Sequence, residues 1–380
     1  MRIYLDHNAT TPVRPEVAEA MSKVLREVHG NPSSVHAEGA AARRELDLAR
    51  DRVASLLGVA PGDVIFTGSA TEANNTVVRT LAAARGPERT RIVTTTVEHP
   101  SVDASLEAWG EQGFPVTQVP VDAGGRVAVE SVGAALEADT ALLSVIWANN
   151  ETGVLQPVEA LATLARERGV WFHTDATQAV GKHPVPLGTL PIDALSLSAH
   201  KFGGPKGVGA LVVRGDLPDR AFVRGGPQER RRRGGTENLA GIVGLGLACA
   251  LAEAELDARV ARYAQLRDRL WDGIREKVPD VTRHGDADHV LANTLNLRFD
   301  GAAGELLLQA LDLEGVAASA GAACASGSIE PSHVLSAMGL TPDQARATLR
   351  LSVGEGVDEA QIDRVVALLP DLVRRAREAA

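Results

Sequence analysis

The sequence predicts an α/β protein, with a large domain on a mostly parallel sheet and a smaller α+β domain at the C-terminus. Three observations carry this. From about residue 15 to 295, short apolar runs alternate with helical patterns, as in strand–helix–strand units. A stretch rich in Ala, Leu, Glu and Arg, 240–276, then reads as a long helix joining two bodies. Beyond it the pattern of elements changes, and a chain of 380 residues is longer than one small core requires.

The strand segments of the large domain, in order, are DVIFTG, RIVTTT, ALLSVIWA, VWFHTDA, ALSLSA and GALVVR. Each is short, rich in β-branched residues and bounded by Gly, Pro or polar turns. Helices are predicted over 71–84, 101–110 and 157–168, each opening at a residue suited to a cap or a first turn. In the C-terminal part, 293–299 and 348–353 read as strands and 304–314 as a helix. The expected division is 15–255 for the large domain and 1–14 with 256–380 for the small one. The segment 317–328 is almost entirely Ala, Gly and Ser around Cys324, which predicts a mobile loop.

Composition narrows the function. The chain is 44% hydrophobic and 23% charged, the balance of an ordinary globular protein, and its 3% aromatics leave Ala, Leu and Val to build the core. A net charge of -10 argues against general binding to nucleic acid or an anionic membrane, which needs an excess of Lys and Arg on one face. The run Arg230 to Arg233 is the local exception, as readily a solvated loop as a binding element. The start, MRIYLDHNATTP, has no basic segment leading into an apolar one, and no run of about eighteen apolar residues occurs, so a cytoplasmic location is expected. Two distant cysteines, Cys249 and Cys324, cannot build a disulfide framework or a thiolate zinc site, and the histidines show no paired ligand spacing.

Four places can carry chemistry. Lys201 follows a buried strand and precedes a glycine-rich turn, where partial loss of water lowers an amine's pKa and favours Schiff-base formation. Asp175 ends an apolar strand and suits a partner for a protonated pyridine nitrogen, although an aspartate there also caps helices. Gly68 to Asn75 follows a strand and opens a helix, so free N–H groups converge on a phosphate-sized site. His99, also just after a strand, can lie against a planar ring or serve a structural role. Nucleotide-phosphate motifs are absent, since Gly244–Leu245–Gly246 lies inside a helical pattern.

Together with LDHNATTP, HGNPSSVH, NNETGVLQPV, RRRRGGTEN, SAGAACASGSIEPSHVL and TLRLSVG, these segments resemble the NifS-like cysteine desulfurases, fold-type I pyridoxal-phosphate enzymes, over nearly the whole chain. The resemblance implies a seven-stranded, mostly parallel sheet of the aminotransferase type and a pyridoxal 5'-phosphate cofactor on Lys201. Asp175 is then the partner of the ring nitrogen, with His99 stacked on the ring as an acid/base group. Gln178 and Asn150 hold the phenolic oxygen, Ala70, Thr71, Ser198 and His200 the phosphate, and Thr236 reaches over from the other subunit of a homodimer. Arg350, helped by Asn31, takes the carboxylate of L-cysteine. Cys324 attacks the substrate sulfur, keeps it as a persulfide, and hands it to an acceptor such as an iron–sulfur scaffold protein. Ala320 and Ala322 depart from the family pattern, where serine is usual, which touches only the hydrogen bonding of that loop. A selenocysteine lyase shares most of these parts and is the alternative; an aminotransferase has no use for the cysteine, and a non-catalytic scaffold has none for the intact set.

Overall fold

The computed structural model describes residues 2–215, 220–320 and 331–379. The first strand, β1 (Ile3–Tyr4), lies outside the main sheet. That sheet is built from β2 (Val64–Thr67), β3 (Arg91–Thr95), β4 (Val116–Val119), β5 (Thr140–Ser144), β6 (Trp171–Asp175), β7 (Ala194–Ser198) and β8 (Gly209–Val213). The spatial order is β2-β8-β7-β6-β5-β3-β4. Only β8 runs against its neighbours, pairing antiparallel with both β2 and β7. The mostly parallel, seven-stranded sheet is therefore as expected.

Five of the six predicted strands sit within a residue or two of the observed ones, whereas β5 ends at Ser144, short of the apolar run. Sequence reading missed β4, an edge strand that runs from half-buried Val116 and Thr117 through exposed Gln118 to buried Val119 and shows no continuous apolar run. The helix expected over 71–84 is broken into an α-helix Ala70–Thr76, a wider turn Val77–Leu81 and a tighter one Ala82–Arg85. The hydroxyls of Thr76 and Thr80 donate back to the main-chain oxygens of Glu72 and Thr76, which competes with the helical ladder and shifts its register.

The other strands are β9 (Val281–His284), β10 (Thr294–Phe299), β11 (Val316–Ala317) and β12 (Thr348–Ser352). Antiparallel β12-β10-β9 forms a second sheet, and β1 pairs in parallel with β11. The seven-stranded sheet and the two smaller sheets pack in separate cores. Phe172, Leu143, Leu195 and Val212 belong to the first; Ile3, Leu5, Leu297, Phe299 and Leu351 belong to the second. The helix Leu239–Lys277 serves both, giving Ile242, Leu245 and Cys249 to the first and Leu266, Leu270 and Ile274 to the second. By length and composition it could cross a membrane, but 56% of its most apolar stretch is buried inside the protein. Cys249 is wholly buried there, a small apolar filler rather than a working thiol, and burial drives its pKa upward.

Candidate active site

The parallel strands point their C-terminal ends at one cavity of about 590 Å³. Open α/β sheets bind ligands at that edge, where loops diverge and main-chain groups are free. Ser69 and Thr71 follow β2, His99 follows β3, Ile146 and Asn150 follow β5, Asp175 ends β6, and Ser198 to Lys201 close β7. Close packing of the first turn depends on Gly209: a Cβ there would lie 2.6 Å from Leu197 O and 2.9 Å from the Ser69 carbonyl carbon. Arg350 from β12 and Asp6, Asn8 and Ala9 from the N-terminal segment complete the wall, so both cores contribute.

Lys201 Nζ donates to the main-chain oxygens of Asn8 and Ala9, both at 2.8 Å. Burial, with Arg350 adding to it against the pull of Asp175 and Asp6, lowers its amine to about 8. Asp175 is buried; its Oδ2 accepts from Asn74 Nδ2 at 2.8 Å and its Oδ1 from Thr177 N at 2.9 Å. It forms no ion pair among the described residues. The turn Ala176–Thr177 thus uses this aspartate as a local cap while leaving its charge without a counterion.

His99 caps the helix Pro100–Gly110, its Nδ1 accepting from Ser101 N at 3.1 Å. A main-chain amide can only donate, so a neutral ring carries its proton on Nε2. Burial and Lys201 lower its pKa, and Asp175 acts the other way. His99 both caps this helix and lines the cavity. His200 Nδ1 lies 3.1 Å from Thr10 Oγ1, and burial beside Lys201, Lys206 and Lys182 lowers it to about 4, leaving it neutral at pH 7. Gln178 Nε2 donates to Asn8 O at 2.9 Å. Arg350 donates to Asp6 Oδ1 at 2.6 Å and to Asn150 O at 2.9 Å, while its Nε is buried with no partner among the described residues.

Of the residues expected at the site, Lys201, Asp175, His99, Gln178, Asn150, Ala70, Thr71, Ser198, His200 and Arg350 line this one cavity. Asn31 and Thr236 are exposed and do not line it in the single chain. Cys324 lies outside the described residues, as does Ala322. The described chain before it ends at Ala320, which lines the cavity with Ala318 and Ser319. It resumes at Pro331, and Ser332 Oγ donates to Glu151 Oε2 at 2.6 Å, next to the cavity residue Asn150. Sequence reasoning overlooked Asp6, Asn8, Ser101 and Thr177. The signal for the first two was the motif LDHNATTP, read as a family mark rather than as a source of side chains.

A pyridoxal-type cofactor fits these residues. The Asp175 carboxylate, without an ion-pair partner among the described residues, suits a pyridinium nitrogen, the Lys201 amine with its lowered pKa suits an aldehyde, and the buried Thr177 hydroxyl at the cavity wall has no partner among the described residues. The cavity volume is that of a small-molecule site. No group of three His, Cys, Asp or Glu residues among the described ones is placed to hold a metal ion.

Comparison with known proteins agrees with the geometry. The family model for aminotransferase class-V matches residues 3–365. A cysteine desulfurase of Cereibacter sphaeroides is 48% identical over 378 residues, 99% of this chain and 97% of that one. A solved structure described as a NifS-like protein superposes with a TM-score of 0.93 at 35% identity, covering 99% of this chain and 100% of that chain. Another, SspA in complex with cysteine, gives 0.83 at 33% identity over 93% of this chain and 99% of that chain. With ten expected residues around one cavity and relatives matched from end to end, this chain belongs to the aminotransferase class-V family, among its NifS-like cysteine desulfurases.

Proposed function

We propose that this chain takes sulfur from L-cysteine, releasing L-alanine and keeping the sulfur as a persulfide on Cys324 for transfer to an acceptor, with iron–sulfur cluster assembly as the destination. The observation that carries the reading is that Lys201 and the uncompensated Asp175 face one cavity whose wall includes Ala320, four residues before Cys324 in the chain.

Pyridoxal phosphate, when bound, supplies an electron sink that makes the substrate Cα–H and Cβ–S bonds labile. Lys201 holds the cofactor and, once free, moves the α-proton; an amine near 8 is suited to both, because a good fraction is neutral at physiological pH. With the cofactor bound, Asp175 would keep the ring nitrogen protonated, His99 would lie over the ring with Nε2–H available, and Gln178 and Asn150 would orient the phenolic oxygen. Ala70, Thr71, Ser198 and His200 would hold the phosphate, with Thr236 from a second subunit. Arg350 binds the substrate carboxylate, exchanging part of its hold on Asp6, and Asn31 assists. The Cys324 thiolate attacks the substrate sulfur; the S–S bond forms as the Cβ–S bond breaks, and a proton completes the methyl group of alanine. The chain works as a cytoplasmic homodimer.

The test is turnover with L-cysteine under a reductant. Wild type is expected to form alanine and sulfide in equal amounts, and Lys201→Ala to form neither and to lose the cofactor's visible absorbance. Alanine without sulfide, or a Lys201→Ala variant as active as wild type, contradicts the reading.

A further inference from the structure

Behind the cavity sits a second amine that the reaction as described does not use. Lys182 is 4% exposed, and its Nζ donates to Gln178 Oε1 and, at 3.4 Å, to Asn8 Oδ1. No carboxylate lies within ion-pair distance of it among the described residues. Burial, with Lys201 and Arg350 nearby, pushes its amine well below the ordinary lysine range. A charged or donor group buried without an anion is costly to keep, so its contacts are informative.

Those contacts form a closed set. Asn8 O accepts from both Gln178 Nε2 and Lys201 Nζ, and Asn8 Oδ1 accepts from Lys182 and from Asn293 Nδ2 at 3.0 Å. A main-chain oxygen can only accept, so the Gln178 amide must turn its nitrogen toward Asn8 and its oxygen toward Lys182. Asn8 therefore fixes one end of that amide and Lys182 the other.

We propose that Lys182 is a positioning residue for the cofactor side of the site: it locks the Gln178 amide with the nitrogen on the cavity side, and so sets how firmly the phenolic oxygen of the bound cofactor is held. The proposal rests on the reading that this oxygen faces Gln178. A donor on the oxygen steadies its negative charge and loosens the proton it shares with the Lys201 nitrogen. The other groups bearing on that proton are Arg350, His200 and His99 with Lys206 behind, and on the acidic side Asp175 and Asp6; His7 faces Lys182 from the N-terminal segment. Of these, His200 and His7 feel Lys182 directly, but burial is the larger cause in both and keeps them neutral over the range titrated.

The experiment titrates the visible absorbance of the full-length enzyme loaded with pyridoxal phosphate, from neutral to alkaline pH, for wild type, Lys182→Met, Gln178→Ala and the double variant. Lys182→Met is expected to raise the midpoint by about one pH unit, a tenfold change in the proton equilibrium. The double variant is expected to shift no further than Gln178→Ala alone, since the amine acts through the amide. A Lys182→Met midpoint equal to that of wild type, or single shifts that add in full, overturns the proposal. Should Lys182→Met not accumulate as folded protein, Lys182→Leu, which likewise has no donor, carries the same expectation. A colourless wild-type enzyme would refute the cofactor reading itself.

Discussion

Lys201 Nζ and the main-chain oxygen of Asn8 lie 2.8 Å apart, although 193 positions separate them in the chain. This contact ties the N-terminal segment to the end of β7. It also explains how the amine is kept reactive: both of its partners are neutral carbonyls, and no carboxylate bonds to it directly. A carboxylate partner would have held the proton and raised the pKa, whereas neutral acceptors orient the nitrogen and leave burial to lower it to about 8. The same carbonyl accepts from Gln178, so the groups assigned to the cofactor's imine end share one anchor.

Asp175→Asn keeps the shape of the side chain but removes the charge and one of its two acceptors, since both Asn74 Nδ2 and Thr177 N donate to it. Cofactor binding is expected to survive while the rate of alanine formation falls roughly 10²- to 10³-fold, as when a preorganised charge is lost from a reacting centre. Single-turnover alanine release at saturating cofactor checks this; a rate within a factor of two of wild type would remove Asp175 from its role.

Arg350→Lys replaces a fork by a single point. The guanidinium is held by Asp6 and Asn150 O, a geometry a lysine amine cannot reproduce. KM for L-cysteine is expected to rise roughly 10- to 100-fold, the cost of losing charge-assisted hydrogen bonds, with the cofactor spectrum unchanged. Steady-state kinetics with parallel absorbance spectra separate this from general damage.

Glu98 is wholly buried, and burial raises its carboxyl to about 8 despite hydrogen bonds from Thr95 Oγ1 and Ile146 N that act the other way. A raised acid binds its proton more tightly in the folded state. That contribution to stability is complete below the unfolded value and is lost as pH rises through about 8. Glu98→Gln keeps the shape without the titration. Its stability relative to wild type is therefore expected to improve between about pH 5 and about pH 9, measured by urea midpoints. A difference that stays constant with pH would show Glu98 to be ionised in the fold.

Glu229 accepts two hydrogen bonds from Arg50, at 2.7 and 2.8 Å, and one from Phe66 N at 3.0 Å, with both side chains almost fully buried. It pins the turn where Glu229, Arg230 and Arg231 all take positive φ, just before Thr236. Glu229→Gln leaves Arg50 as an unpaired buried charge and is expected to destabilise the protein by about 3–5 kcal/mol, read from denaturant unfolding. The Arg230–Arg233 run is thus neither wholly solvated nor free: Arg232 donates to Gly62 O at 2.7 Å and Arg233 pairs with Glu72 at 3.0 Å.

The sheet was legible because β-branched apolar runs end in polar residues just where strands end, whereas Gln178, Asn150 and Arg350 were expected only from the family resemblance. Lys201, Asp175 and His99 each follow such a run. Other features were hidden for physical reasons. The reversed direction of β8 depends on pairing partners, not on its own residues. Asn8 acts through its main-chain oxygen, which no side-chain pattern reveals. Lys182 looks like any lysine after a glycine, and only the fold shows that it is buried against Gln178 and Asn8.

The central claim is tested most directly by a single turnover of Cys324→Ala with L-cysteine. The variant is expected to bind pyridoxal phosphate with the wild-type spectrum and to accept L-cysteine, yet to release no alanine and carry no persulfide, while wild type forms one persulfide per released alanine. Alanine released by Cys324→Ala at the wild-type rate would contradict the account, because sulfur would then leave the substrate without this thiol.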